Sequence, residues 1–205
     1  MYQFIAIEGN IGAGKTTLAN ALAKELQAQL VLEEFAENPF LPKFYQEPEK
    51  HAFALELSFM AARFQQINQL AVKRELFTNG IVADYFFLKS LLFASITLKE
   101  DEYTLFKSLF NIININIPQP DILIYLSTPI PQLMKQIKIR GREYELKITE
   151  DYLQSIQESY IHSFKQITNF PVIILQNKNT PFAMLQTVQE IIASAHTPGI
   201  HFITQ

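Results

Sequence analysis

Short apolar runs alternate with longer amphipathic stretches along the chain, and this alternation predicts its elements. Phe4–Glu8, Leu30–Glu33, Ile81–Asp84, Ile122–Leu126 and Val172–Leu175 are rich in β-branched or large apolar residues and too short for free-standing helices, so each predicts a strand. Helix-like segments lie between and after them, over Lys15–Gln29, His51–Phe77, Phe86–Ile96, Glu102–Ile115, Ile130–Arg140, Thr149–Thr168 and Pro181–Ala195. Strands apolar on both faces, alternating with helices, predict an α/β fold: a five-stranded parallel sheet flanked by helices, in three layers. Asn79-Gly80 ends one helix before a strand, and Pro118 and Pro120 break the chain ahead of Asp121. Thr149-Glu150-Asp151 reads as a helix start, with an N-cap hydroxyl and acids in the first turn. The tail from Thr197 to Gln205 reads as loose or as a contact for another chain.

At 205 residues the chain fits one domain with a sizeable core. Its 48% hydrophobic and 18% charged residues are those of a globular protein, and a net charge of −3 argues against a general nucleic-acid binder. The absence of cysteine rules out disulfides, zinc–thiolate sites and a cysteine nucleophile, and fits a cytoplasmic protein. The segment before the first glycine lacks a basic leader and reads as a strand, and no apolar run approaches the ~18 residues of a membrane span. His51, His162, His196 and His201 have no metal-ligand spacing and read as surface or core residues.

The strongest chemical signal is Gly9-Asn10-Ile11-Gly12-Ala13-Gly14-Lys15-Thr16-Thr17, a full match to G-x-x-x-x-G-K-[ST] between an apolar strand and a helix. Its glycines let the backbone turn several N–H groups toward one point, and the helix start adds its positive dipole end. Lys15 then neutralises the β- and γ-phosphates of a nucleoside triphosphate, and Thr16 ligates Mg²⁺. The motif places the chain among P-loop NTPases and leaves the phosphate acceptor open.

The acceptor side comes from a resemblance. Glu8 to Thr17, the Glu33…Asn38-Pro39 block, the Tyr45…Glu56…Arg63 segment and Arg140-Gly141-Arg142-x-x-Glu145 resemble, in order and spacing, the deoxyribonucleoside kinases of the deoxyguanosine, deoxyadenosine and deoxycytidine kinase type. The likeness runs from Ile5 to about Gln176. It implies ATP with Mg²⁺, a purine deoxynucleoside as acceptor, and a homodimer through long helices near 51–77 and 86–115. It also implies that Glu33 takes the 5′-hydroxyl proton, with Glu34 as a rival where the family usually has Glu-Pro-Val. Tyr45 and Glu145 would grip the sugar 3′-hydroxyl. Arg140 and Arg142 would belong to a lid over the triphosphate, approximately 138–148; Gln136 stands where some relatives carry another Arg.

Glu56 and Arg63 are seven residues apart, two helical turns, so they share a face. The family often reads the base with Gln at the first position. A carboxylate only accepts, and guanine offers two donors on its Watson–Crick edge, so Glu56 favours deoxyguanosine over deoxyadenosine. Arg63 either pins that carboxylate or bonds the purine, and Phe86 or Phe87 stacks on the base. Met60, Phe59 and Phe64 read as core, and Phe44 as simple packing. Asp84 either holds a Mg²⁺-bound water or orients Lys15. Tyr85 follows it where the family has Arg, so Lys89 substitutes or the donor side carries more charge. The segment Gln176 to Thr180 would lie over the adenine of ATP. A nucleoside monophosphate kinase such as thymidylate kinase is disfavoured by the missing Asp-Arg pair. A non-catalytic ATP sensor and a hydrolytic ATPase or GTPase are the readings from other classes.

Overall fold

A computed structural model describes residues 2–34, 38–73, 79–176 and 181–203, the side chains of 69–73 and 181–182 excepted. Six parallel strands form one sheet: β1 (Phe4–Gly9), β2 (Gln29–Val31), β3 (Ile81–Ala83), β4 (Ile122–Ser127), β5 (Pro171–Gln176) and β6 (Gly199–Ile203). Their order is β2-β3-β1-β4-β5-β6. The helices are α1 (Lys15–Leu26), α2 (Leu41–Gln46), α3 (Pro48–Lys73), α4 (Lys89–Thr97), α5 (Glu100–Asn114), α6 (Ile130–Arg140), α7 (Glu150–Phe164) and α8 (Pro181–Ala193).

The strand residues are apolar on both faces because both faces are covered. Phe4 and Ala6 of β1 join Leu123, Tyr125, Val172 and Ile174 in a core with residues of α3, α4, α5 and α7. Ile5 and Ile7 turn the other way, toward a core shared with α1, α6 and α8. The α/β class is as expected from the pattern, with a sixth strand where the pattern gave five. Gly199–Ile203 pairs with β5, so part of the tail expected to be loose or to contact another chain is an edge strand of this sheet. His201 interrupts its apolar run and its residues are partly or largely exposed, which hides the signal. The short helix α2 was also unforeseen.

Boundaries moved where side chains replace backbone partners. β2 stops at Val31 and β3 at Ala83, short of the expected Glu33 and Asp84. There the Glu33 N–H donates to Asp84 Oδ1 at 2.7 Å, so a carboxylate takes over from the ladder. Helix α1 ends at Leu26 because Gln27 turns left-handed at φ 52°. Helix α3 begins at Pro48, a residue suited to a first turn, and its expected end at Phe77 lies outside the described residues. Thr149 caps α7 as expected, accepting from the Tyr152 N–H at 3.2 Å. Among the described residues no helix is long and apolar enough to cross a membrane.

The parallel arrangement brings the carboxyl ends of β1, β2 and β3 side by side. In open α/β sheets that edge is where ligands bind. The glycine loop, Glu33 and Asp84 follow directly from these three strand ends.

Candidate active site

The loop after β1 curls around a point at the start of α1. Gly12 and Gly14 hold φ of 83° and 88°, the left-handed region where a side chain is strained. A Cβ at Gly12 would also sit 3.0 Å from Ile137 Cγ1 and 3.2 Å from the Leu133 carbonyl. Lys15 folds back so that Nζ donates to the Gly9 and Asn10 carbonyls, both at 2.9 Å. Asn10 anchors the loop through Nδ2, which donates to the Leu153 carbonyl of α7 at 2.7 Å. Thr16 Oγ1 donates to Asp84 Oδ2 at 2.6 Å. A groove beside the loop is lined by Gly12 through Thr16, with Gln136 and Arg140 opposite.

A second cavity opens next to this loop. Its wall contains Lys15, Thr16, Glu33, Tyr45, Glu56, Arg63, Asp84, Lys89, Arg140, Arg142 and Glu145. The residues come from the strand ends, the start of α1, α2, α3, α4, the end of α6 and the segment after it with its 3₁₀ turn Glu143–Lys147. Glu34 is exposed, whereas Glu33 faces the cavity.

The three glutamates of this cavity are answered in three ways. Glu33 pairs with Lys89 Nζ through Oε2 and with Arg63 through Oε1, the Arg63 Nε bond being 3.0 Å. Burial pushes its carboxyl up, but Lys89 and then Arg63 override that and hold it well below the usual carboxylate range. Glu145 accepts from Arg140 Nε and Nη2 at 3.0 and 2.6 Å, and from Arg142 Nη1 at 3.2 Å. Glu56, 2% exposed, accepts from the Thr97 hydroxyl at 3.0 Å. Burial pushes Glu56 up to about 7, against the pull of Arg63 and the Thr97 bond.

A family model for deoxynucleoside kinase matches residues 5–200. The chain belongs to the deoxynucleoside kinase family. It is 34% identical to the deoxyguanosine kinase of Bacillus subtilis over 80% of this chain and 79% of that one. It is equally 34% identical to the deoxyadenosine kinase of Dictyostelium discoideum, over 82% of this chain and 70% of that one. A solved structure of deoxyadenosine kinase from M. mycoides with bound dATP superposes with a TM-score of 0.82 at 25% identity, over 93% of this chain and 99% of that one.

Several expectations about individual side chains of this kinase change. The hydrogen bonds described for Arg63 run to Glu33 and to Ser90 Oγ (2.8 Å), so it pins Glu33 rather than Glu56. Asp84 holds Thr16 and the Glu33 backbone, while Lys15 is held by loop carbonyls. Phe86 and Phe87 pack in the core, against Phe170 and Phe110; Phe59 and Phe93 line the cavity instead. Phe44 packs as expected and also reaches the cavity wall, and Met60 is core. Arg140 and Arg142 lie on Glu145, although Arg140 also borders the loop groove. Gly9, Asn10 and Thr17 line neither cavity. Residues 177–180, read as covering adenine, lie outside the described residues.

The sequence reading missed Ser90, Thr97 and Tyr152. None had a motif to mark it, and only their helical spacing relative to Lys89 and Thr149 could have raised them. It also missed a buried acid under the loop. Glu8, 1% exposed, accepts from the Phe86 N–H at 2.8 Å and from the Tyr160 hydroxyl at 2.7 Å. Burial raises its carboxyl above the usual range, against the pull of Lys89 and Lys15.

Proposed function

We propose that this kinase transfers the γ-phosphoryl group of ATP to the 5′-hydroxyl of a purine deoxynucleoside, with deoxyguanosine preferred. The observation that carries the reading is a single cavity, ringed by Glu33, Tyr45, Glu56 and Glu145, that opens beside the glycine loop. Relatives bearing both the deoxyguanosine and the deoxyadenosine kinase names support the acceptor class.

In this reading the loop N–H groups and Lys15 bind the β- and γ-phosphates. Glu33 aligns the 5′-oxygen. Held ionised by Lys89 and Arg63, it is a weak base, which suits a loose phosphoryl-transfer transition state that needs alignment first and proton removal late. Lys89 supplies the cation that the missing arginine after Asp84 would have carried. Arg140 and Arg142 exchange Glu145 for phosphoryl oxygens as the triphosphate seats, since the guanidinium fork fits either anion. Glu145 then accepts from the 3′-hydroxyl while Tyr45 donates to it. Thr16 and Asp84 present hydroxyl and carboxylate oxygens beside the loop, a donor set that fits Mg²⁺, which supplies positive charge against the phosphates when bound. A homodimer would join through the long helices near 51–77 and 86–115, where a groove of mixed polar and apolar lining, with Leu91, Tyr103 and Lys107, offers a surface for a second copy.

The test is a phosphorylation panel of common nucleosides, deoxynucleosides and their monophosphates with ATP and Mg²⁺. The expected result is 5′-monophosphate formation, fastest with deoxyguanosine and next with deoxyadenosine. Tight ATP binding without turnover of any nucleoside would favour a sensor instead, and turnover of a monophosphate would favour a nucleotide kinase.

A further inference from the structure

Glu56 stands apart from Glu33 and Glu145 because no cation bond is described for it; Asp84, the fourth acid of the wall, is held by the Thr16 hydroxyl and the Glu33 N–H. Arg63 and Lys89 are both committed to Glu33, and Arg140 and Arg142 to Glu145. From α2 and α7, Tyr45 and Tyr152 face it as phenols whose protons burial holds on. Its described partner is the hydroxyl of Thr97, the last residue of α4. That hydroxyl lies 3.0 Å from Glu56 Oε1 and also 3.0 Å from the Phe93 carbonyl.

One hydroxyl carries one proton and two lone pairs. If Thr97 donates to Oε1, that oxygen stays an acceptor and an added proton goes to Oε2. If Thr97 donates to Phe93 instead, its oxygen can accept from a protonated Oε1. The pair is therefore satisfied whether the carboxyl is charged or neutral, as a buried polar group must be.

We propose that Glu56 and Thr97 form a proton-gated base selector: the ionised carboxyl accepts from the two donors of a guanine edge, and the neutral carboxyl, with its proton on Oε2, pairs with the donor–acceptor edge of a 6-aminopurine or 4-aminopyrimidine. The neutral acid thereby imitates the donor and acceptor of a glutamine amide. This rests on the reading of Glu56 as the base contact and adds that its choice of base follows pH. Burial places the exchange near neutrality, about 7, so the ionised form gains ground as pH rises.

The experiment is a competition between deoxyguanosine and deoxyadenosine in one reaction, from about pH 5.5 to 8.5, around the usual span of a carboxyl raised this far. The ratio of the two kcat/KM values cancels every ionisation that both substrates share. It is expected to rise with pH by up to about tenfold per unit. In Glu56→Gln the ratio is expected to be flat and shifted toward deoxyadenosine. Thr97→Val removes a donor that favours the charged form, so both profiles are expected to move to higher pH. A flat ratio in the unaltered kinase, or an equal slope in Glu56→Gln, overturns the selector and leaves the deoxynucleoside kinase reading standing. If Glu56→Gln does not fold, unmoved profiles in Thr97→Val overturn it in the same way. Failure to phosphorylate any deoxynucleoside at any of these pH values overturns the underlying reading together with the selector.

Discussion

The glycine-loop side of the cleft, proposed to hold the phosphate donor, is made mainly of backbone, and the facing side, proposed to hold the acceptor, is made of side chains. Around the glycine loop, Ala13 N–H bonds back to the Asn10 carbonyl, Lys15 folds onto two loop carbonyls, and the whole device fits within residues 9–17. Across the cavity, Glu33, Tyr45, Glu56, Arg63, Lys89 and Glu145 arrive from several elements; Arg63 and Lys89 answer Glu33, and Arg140 and Arg142 answer Glu145. A backbone cradle has one electrostatic state. The three glutamates of the cavity have three, because Lys89 with Arg63, Arg140 with Arg142, and the Thr97 hydroxyl answer them differently. Environments that push like groups apart are how one site assigns them different tasks.

The largest expected effect breaks the comparison on the acceptor side. Glu33→Gln is expected to lower kcat by about 10²- to 10⁴-fold, the usual worth of a positioned acid–base group. ATP affinity is expected to change far less, because Glu33 acts on the loop only through the pull of its charge on Lys15. Steady-state kinetics beside an ATP-binding titration separates the two, and a thermal melt monitors the cost of leaving Arg63 and Lys89 short of an anion. An unchanged kcat would move the role to the exposed Glu34.

A smaller effect sharpens the roles within the acceptor side. If Glu145 accepts from the 3′-hydroxyl, Glu145→Gln removes a bond to a charged group worth about 1.5–3 kcal/mol. That is roughly a 10- to 100-fold rise in KM for a deoxynucleoside. A 3′-deoxy analogue, which lacks the hydroxyl, is expected to show little further loss in the variant. Equal losses for both substrates would make Glu145 a structural anchor for Arg140 and Arg142 alone.

The same contrast explains what the sequence disclosed. The glycine loop was legible because contiguous residues at fixed offsets make it, and no distant element is needed to complete the pattern. The parallel sheet was legible because strands buried on both faces are continuous apolar runs. The sixth strand was not, since an edge strand with exposed side chains and a histidine at its centre lacks that run. On the acceptor side, helical spacing placed Glu56 and Arg63 on one face, but spacing could not tell which carboxylate Arg63 would bind. That depended on β2 ending early and swinging Glu33 toward α3. Thr97 was silent for the same reason: its partner lies on another helix, 41 residues away.

The smallest expected effect tests whether the two sides are electrically independent. Burial, and then the positive charge of Lys89, lower the Lys15 ammonium to about 8, while Glu8, Glu33 and Asp84 pull it upward. A lowered ammonium keeps its charge below that value and loses it above. kcat/KM for ATP is therefore expected to fall above about pH 8 by up to about tenfold per unit. kcat at saturating ATP is expected to hold to higher pH, since bound phosphate restores the proton. Glu33, held ionised by its cations, gives no acid limb near neutrality. Lys89→Met keeps most of the side-chain stem and removes the charge, so the alkaline limb of kcat/KM for ATP is expected to move upward even as kcat itself drops. A limb that stays where it was would mean that Lys15 is tuned by its own loop alone, and that the acceptor side's charges do not reach the donor side.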